Sequence, residues 1–107
     1  MKRYGSVIQL KPEKEEEYKR LHADVWPEVL AMIRACNIRN YSIFLRDGLL
    51  FSYFEYHGED YQADMAKMAA DSKTQEWWAL TDPCQKPVAS HGPDEWWSAM
   101  EEVFHTD

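Results

Sequence analysis

The sequence has few cysteines, no cluster of basic residues and no long apolar run. Its two cysteines, Cys36 and Cys84, follow no paired spacing, so they predict neither a disulfide framework nor a zinc site. The net charge is −7 and basic residues never form runs longer than pairs, whereas binding to nucleic acid requires a basic surface. No apolar segment approaches the roughly 18 residues of a membrane span, and the N-terminus lacks the apolar core of a signal peptide. We therefore expect a cytoplasmic protein that binds neither nucleic acid nor membranes.

Apolar and aromatic residues are abundant instead. They make up 45% and 14% of the 107 residues, which is typical of a globular protein and fits a single domain over residues 1–107. The five Trp and six Tyr are many for this length. Because these side chains combine an apolar ring with a polar tip, they suit a protein interface or a sugar site, and composition does not distinguish the two.

The first third of the chain predicts a strand followed by a broken helix. Residues 3–10 predict the strand, and Pro12 followed by several glutamates predicts the helix start, since acidic side chains stabilise a helix N-terminus. Pro27 disfavours helical angles at the residue before it, so we expect a kink or restart there. Apolar positions at helical spacing then continue to about Asn37.

A hairpin is predicted next. Residues 38–46 alternate, with Tyr41 on the same side as two apolar positions, and Asp47-Gly48 is a strong signal for a tight turn. Residues 49–57 supply the return strand. The sequence therefore predicts a pair of antiparallel strands in which Tyr41 begins one face.

The second half predicts two helices and a loop. Residues 60–70 have helical spacing, and Ser72 begins a segment with the spacing of a capping box. This box should start a short helix that carries Trp77 and Trp78. Residues 81–94 contain three prolines and a glycine, which predicts a loop.

A final strand is predicted in the tail after Trp96, where Val103 and Phe104 are apolar. The order βαββαβ is that of a ferredoxin-like α+β sandwich. Helices would cover one face of its sheet and leave the other, which carries large apolar residues, uncovered. Such a face usually has a partner, so we expect a homodimer with twofold symmetry, formed through the open sheet face.

Tyr18 and His22 are the first candidates for chemistry. They are four residues apart on a predicted helix and therefore lie on one face, with Cβ atoms roughly 5–6 Å apart. Imidazole exchanges protons near neutral pH, and a phenol beside it can bind a substrate oxygen or orient the ring. From spacing alone, packing is the simpler interpretation of such a pair.

Trp77 and Trp78 are the second candidates. Adjacent helical residues point about 100° apart, so one ring can enter the core while the other lines a cleft, where it would pack against the C–H face of a sugar. Two core tryptophans are the alternative. The sequence contains no glycine-rich phosphate loop and no nucleophile motif.

Several of these segments coincide with one family, because the chain resembles L-rhamnose mutarotase. The similar segments are Glu17-Tyr18-Lys19-Arg20-Leu21-His22, Trp26-Pro27-Glu28, Asn40-Tyr41-Ser42-Ile43, Trp77-Trp78 and Glu102-Val103-Phe104. The resemblance implies a homodimeric ferredoxin-like fold of the dimeric α/β-barrel type, an isomerase that interconverts sugar anomers, and no metal or cofactor. It implies that His22 is the general acid, that Tyr18 and Tyr41 bind the sugar, and that Trp77 and Trp78 wall the pocket.

The chain departs from the family pattern between Trp78 and the last strand, over residues 81–97. If this loop covers the pocket, the substrate can differ, so L-rhamnose and L-fucose are both candidate 6-deoxy sugars. Two other readings stay open, because fold does not fix function. One is a small cofactorless monooxygenase or haem-degrading enzyme on the same scaffold, and the other is a sugar-binding dimer without catalytic activity.

Overall fold

Four α-helices and five antiparallel strands form the protein in a computed structural model that describes residues 1–107. The strands are β1 (Lys2–Leu10), β2 (Ile38–Arg46), β3 (Leu49–Tyr56), β4 (Gln85–Lys86) and β5 (Ser98–Met100). The helices are α1 (Glu15–Ala23), α2 (Pro27–Ala35), α3 (Tyr61–Ala70) and α4 (Ser72–Thr81). Short 3₁₀ turns lie at Pro12–Lys14 and Asp82–Cys84. None of the helices has the length and apolar character needed to cross a membrane.

The sheet order confirms the predicted ferredoxin-like α+β fold. Its strands run β2-β3-β1-β4, and β5 also pairs with β1. Strand β4 pairs with Gln9 and Leu10, while β5 pairs with residues 5–7 on the same edge of β1. The last strand of the predicted order is therefore divided into two short pieces, with residues 87–97 between them.

The core lies on one face of this sheet. Ile8, Leu10 and Leu50 are buried there beneath the helices, together with Tyr18 of α1. A second cluster joins α2, α3 and β2 through residues Cys36, Ile38 and Met68. Since the strands alternate, one face of β1 and β3 meets the helices and the other does not.

The opposite face is open and apolar, as the sequence predicts. Val7 pairs with Phe51 in the middle of this face, and Phe44 lies beside Phe51. Phe44 and Met100 are exposed, while Val7 and Phe51 are partly exposed. In a single chain this surface has no covering layer.

The predicted break and hairpin are both present. The chain leaves helical geometry at residues 24–26, and Pro27 is the first residue of α2. Asp47 and Gly48 have φ angles of 53° and 73°. Positive φ at both central residues is what a type I′ turn requires, and this turn matches the twist of the strands that it joins.

One extra residue in β2 sets the direction of Tyr41. Three steps along β2, from Arg39 to Ser42, match two steps along β3. Asn40 lies inside this bulge with a φ of 52°, a left-handed conformation that asparagine tolerates better than most residues. Tyr41 therefore faces the helices, with its ring 5.5 Å from that of Phe54.

The cap of α4 differs from the predicted one. Asp71, not Ser72, precedes the helix, and its carboxylate accepts hydrogen bonds from the backbone N–H and the hydroxyl of Thr74 at 2.9 and 2.8 Å. Ser72 is already the first helical residue. The capping-box prediction was therefore wrong by one position, because α3 ends one residue before Asp71 and leaves it with extended backbone angles.

Replacing Asp71 with alanine should lower the free energy of unfolding by about 0.5–2 kcal/mol, the usual cost of losing a helix cap. Ser72→Ala is the matched control and should change it by less than about 0.5 kcal/mol, as surface substitutions usually do. Urea unfolding followed by circular dichroism measures both. A larger loss of unfolding free energy in Ser72→Ala than in Asp71→Ala would mean that Ser72 is the cap, as the sequence predicted.

The C-terminal region departs most from prediction. Residues 81–94 were predicted to be a loop, but they contain the end of α4, a 3₁₀ turn and β4. The final strand is Ser98–Met100, whereas Val103 and Phe104 lie beyond it and are exposed. The apolar character of these two residues therefore does not reflect burial within this chain.

Candidate active site

His22 lies on α1 with one ring nitrogen already engaged. Its Nδ1 is 2.9 Å from the backbone oxygen of Tyr18, four residues earlier. A carbonyl oxygen only accepts, so Nδ1 carries the proton and donates it. In the neutral imidazole, the lone pair is then on Nε2. The helix thus fixes the tautomer and leaves Nε2 as the nitrogen that can take up a proton.

Burial favours this neutral form of His22. Removal of water lowers the pKa of His22 from its usual value of 6.5, and the hydrogen bond to the Tyr18 carbonyl opposes the shift only in part. The ring lies against aromatic neighbours, with the Tyr18 ring 4.2 Å away and the Trp77 ring meeting it edge-on at 5.4 Å. At neutral pH the group is therefore a base.

Tyr18 is buried beside His22 and stays protonated. Desolvation raises its pKa well above 10, with a smaller contribution from Tyr41, while a hydrogen bond from Gln85 acts in the opposite direction. That hydrogen bond joins Gln85 Nε2 to the Tyr18 hydroxyl at 3.1 Å. Tyr18 therefore presents a neutral phenol next to the basic nitrogen of His22.

Two cavities open above the covered face of the sheet. The first, of about 260 Å³, is called here the His22 cavity and is lined by Tyr18, His22, Ile43, Leu45 and Leu50 among others. The second, of about 250 Å³, is called the Tyr41 cavity and is lined by Ser6, Tyr41, Ser52, Phe54, Tyr61 and Trp97 among others. Both follow β2 and β3, so they are neighbours along the same strands.

Tyr41 belongs to the second of these cavities. Although 42% of the residue is exposed, burial of the phenol raises the pKa of Tyr41 to about 12, with a further contribution from Tyr61. The hydroxyls of Ser6 and Ser52 hydrogen bond to each other at 2.5 Å and add polar groups to the lining of this cavity. The Tyr41 cavity therefore combines aromatic rings with hydroxyl groups.

The two adjacent tryptophans have different environments. Trp77 is 5% exposed and packs edge-on against Trp26 at 5.3 Å as well as against His22. Trp78 is 37% exposed and lines neither the His22 cavity nor the Tyr41 cavity. The structure therefore brings Tyr18, His22 and Trp77 together, places Tyr41 in the neighbouring cavity, and leaves Trp78 on the outer side of α4.

Three residues that sequence reasoning did not assign to the site belong to it. Gln85 hydrogen bonds to Tyr18, Trp96 hydrogen bonds to Gln85, and Trp26 supports Trp77. The Trp26-Pro27 pair was visible as a helix break, but no local pattern marks Gln85, which was predicted to lie in a loop.

Potential metal ligands are not gathered anywhere in the chain. No group of three or more His, Cys, Asp or Glu side chains has an arrangement that could hold a metal ion. The polar groups of the site are instead an imidazole, phenols, an amide and hydroxyls. These groups bind and move protons and form hydrogen bonds.

Comparisons with known proteins find related sequences and related folds. The family model for L-rhamnose mutarotase matches residues 3–106. The L-rhamnose mutarotases of Oceanobacillus iheyensis and Bacillus subtilis are each 36% identical over 109 residues, which covers all of both chains. The crystal structure of an L-rhamnose mutarotase from Formosa agariphila superposes with a TM-score of 0.78 at 22% identity over the full length of both chains.

A second solved structure shows how widely this fold occurs. Tetracenomycin F2 cyclase from Streptomyces glaucescens has a TM-score of 0.69 at 16% identity, with 99% of this chain and 96% of that chain covered. At such identities the structural likeness establishes the fold alone. The family model and the full-length relatives go further, and they show that the chain belongs to the L-rhamnose mutarotase family, whose members are isomerases that act on carbohydrates.

Proposed function

We propose that this protein interconverts the α and β anomers of L-rhamnose or a related 6-deoxy-hexose such as L-fucose. The observation that carries the proposal is the free Nε2 of a neutral His22 in a cavity shared with the protonated Tyr18. Membership of the L-rhamnose mutarotase family supports the reaction class. L-fucose differs from L-rhamnose in the configuration of its hydroxyls, so hydrogen bonding within the pocket would decide between them.

The reaction needs only proton transfer and the reversible cleavage of one bond. His22 Nε2 takes the proton of the anomeric hydroxyl while a water molecule or the Tyr18 hydroxyl gives a proton to the ring oxygen, and the C1–O5 electron pair stays with that oxygen. The resulting aldehyde rotates about C1–C2, and the ring closes on the other face with the proton movements reversed. Protonated His22 then returns a proton, so the general-acid role implied by the resemblance applies to this closing step.

The sugar contacts are proposed for four aromatic residues. Tyr18 donates a hydrogen bond to a sugar oxygen beside His22, and Tyr41 does so from the neighbouring cavity. Trp77 lines neither cavity itself, but it holds the imidazole in place through its edge-on contact and so supports the inner wall from behind. Trp78 lies outside both cavities, and we propose it as an outer wall because 37% of the residue is exposed and therefore available to a ligand. No electrons enter or leave, so the bond changes require no cofactor.

Anomer exchange measured by saturation-transfer proton NMR tests the proposed function. L-rhamnose, L-fucose and D-glucose are compared with and without protein in the same buffer, since buffers also catalyse mutarotation. Faster exchange of one 6-deoxy sugar, with little effect on D-glucose, is the expected result and identifies the substrate. No acceleration of any of the three sugars would show that the proposal is wrong.

We also propose a homodimer formed through the open sheet face. Phe51 lies at the centre of that face, so Phe51→Glu should place a charge in the interface and halve the mass measured by sedimentation, towards the 12.7 kDa of one chain. Leu30→Glu is the matched control, because Leu30 is an exposed apolar residue of α2. Dissociation of the Leu30 variant alone would assign the interface to the helices instead.

A cytoplasmic location is part of the same proposal. Cys36 and Cys84 are both buried free thiols, one in each core cluster. Thiols persist in the reducing environment of the cytoplasm, where disulfides are rare. The relatives with full-length similarity carry the name of a sugar-metabolising activity, which is compatible with that compartment.

A further inference from the structure

Gln85 is a buried polar residue that touches two aromatic side chains of the site. It is 4% exposed and forms the first half of β4, opposite Leu10 of β1. Its Nε2 is 3.1 Å from the hydroxyl of Tyr18, and its Oε1 is 3.1 Å from the indole Nε1 of Trp96. Both ends of the amide therefore form a hydrogen bond, one with Tyr18, which is 67 residues away in the sequence, and one with Trp96, which is 11 residues away.

The orientation of this amide follows from its partners. An indole N–H only donates, so the end of Gln85 that faces Trp96 is the oxygen. The end that faces Tyr18 is consequently the NH₂ group, which donates to the phenol oxygen. A hydroxyl has one hydrogen of its own, and the Tyr18 hydroxyl makes no other hydrogen bond within the protein. That hydrogen is therefore free to point towards a ligand.

From this arrangement we propose that Gln85 is a positioning residue that holds the Tyr18 hydroxyl as a hydrogen-bond donor to the sugar, with Trp96 selecting the amide orientation. The inference rests on the proposed function and adds a residue to its machinery. It also gives the divergent segment 81–97 a role, because Trp96 comes from that segment and reaches the site through a single hydrogen bond.

The variant Gln85→Glu separates positioning from simple packing. The new carboxylate has nearly the same shape and still accepts from Trp96. Its other oxygen cannot donate when ionised, so the Tyr18 hydroxyl must turn its hydrogen towards it and away from the sugar. When protonated, the carboxyl donates to Tyr18 as the amide does. A buried carboxyl titrates above its usual pKa, so the two states are reached within a workable pH range.

The expected result is a pH-dependent loss of exchange. The rate of the Gln85→Glu variant, divided by the wild-type rate at the same pH, should fall about tenfold as the pH rises, the effect of losing one hydrogen bond. In a Tyr18→Phe background the same substitution should have no further effect, because there is no hydroxyl left to orient. A ratio that is constant with pH, or an equal loss in both backgrounds, would contradict the inference.

One further variant and one spectroscopic measurement test the inference if Gln85→Glu fails to fold or the protein shows no activity. Trp96→Phe removes the donor that fixes the amide and should lower exchange without introducing a new titration. Nitrogen–proton NMR tests the geometry independently of catalysis, since Tyr18→Phe should shift the side-chain NH₂ signal of Gln85 and leave the indole signal of Trp96 in place. If the wild type accelerates no sugar, the proposed function is wrong. The NMR spectrum still tests whether the Gln85 amide donates to the Tyr18 hydroxyl. An unshifted NH₂ signal would overturn the inference.

Discussion

Replacing His22 with asparagine is expected to slow anomer exchange about 10²–10⁴-fold, the range that a positioned acid–base group contributes. The side-chain amide of asparagine can keep the hydrogen bond that Nδ1 donates to the Tyr18 carbonyl. It has no atom in the position of Nε2, so only the proton-transferring nitrogen is lost. Saturation-transfer NMR on the substrate found for the wild type measures the effect.

The matched control is His57→Asn. His57 is an exposed histidine that follows β3, lines neither cavity and contacts Glu55 at 3.3 Å. Its replacement should leave the exchange rate within about twofold, since it removes only a side-chain contact away from both cavities. Calorimetry of sugar binding completes the test. Retained affinity with lost exchange supports catalysis by His22, whereas unchanged exchange in the His22 variant would remove the role proposed for it.

The pH dependence of the wild-type rate should also report the protonation of His22. Burial lowers the pKa of His22 below 6.5, so Nε2 is free at neutral pH and becomes protonated only in more acidic solution. After subtraction of the buffer rate, kcat/KM should therefore fall as the pH drops, with a midpoint below 6.5. The residual activity of His22→Asn should not show this acidic fall. A midpoint above 6.5 would contradict the buried, neutral imidazole.

Elements whose signals are local were predicted from the sequence. The hairpin turn depends on two residues that accept positive φ, so Asp47-Gly48 is sufficient to predict it. The helix break depends on one proline, so Pro27 is sufficient to predict it. Strand β4 could not be predicted in this way. It has two residues and no alternation, and it is a strand only because it pairs with Gln9 and Leu10, more than 70 positions away in the sequence.

The residues of the candidate site show the same difference between local signals and partners distant in the sequence. Tyr18 and His22 lie together because four residues make about one helical turn, and this could be read directly. The partner that orients the Tyr18 hydroxyl is 67 residues away, and nothing near Gln85 indicates it. Likewise, Asp71 and Ser72 are both good capping residues. The choice between them depends on where α3 ends, which is decided by packing.

The Trp77-Trp78 pair leads to the second large expected effect, because spacing left open which ring enters the core. Trp77→Ala should lower the free energy of unfolding by about 3–5 kcal/mol, since it removes a buried ring from between His22 and Trp26. That is a large share of the 5–15 kcal/mol that stabilises a typical domain. Urea unfolding at one fixed protein concentration measures it, because stability depends on concentration in a dimer.

Trp78→Ala is the internal control, since the same ring is removed one position along the helix. With 37% of Trp78 exposed, its loss should cost about 1 kcal/mol, the centre of the range for single substitutions. Its effect should appear instead as weaker sugar binding, because the proposed outer wall is lost while His22 and its support remain. Equal destabilisation by the two variants would mean that Trp78 is covered in the assembled protein. Unchanged sugar affinity in a stable Trp78 variant would mean that Trp78 does not contact the sugar. Trp77 would then be the only tryptophan of the pair that contributes to the site, because it positions His22.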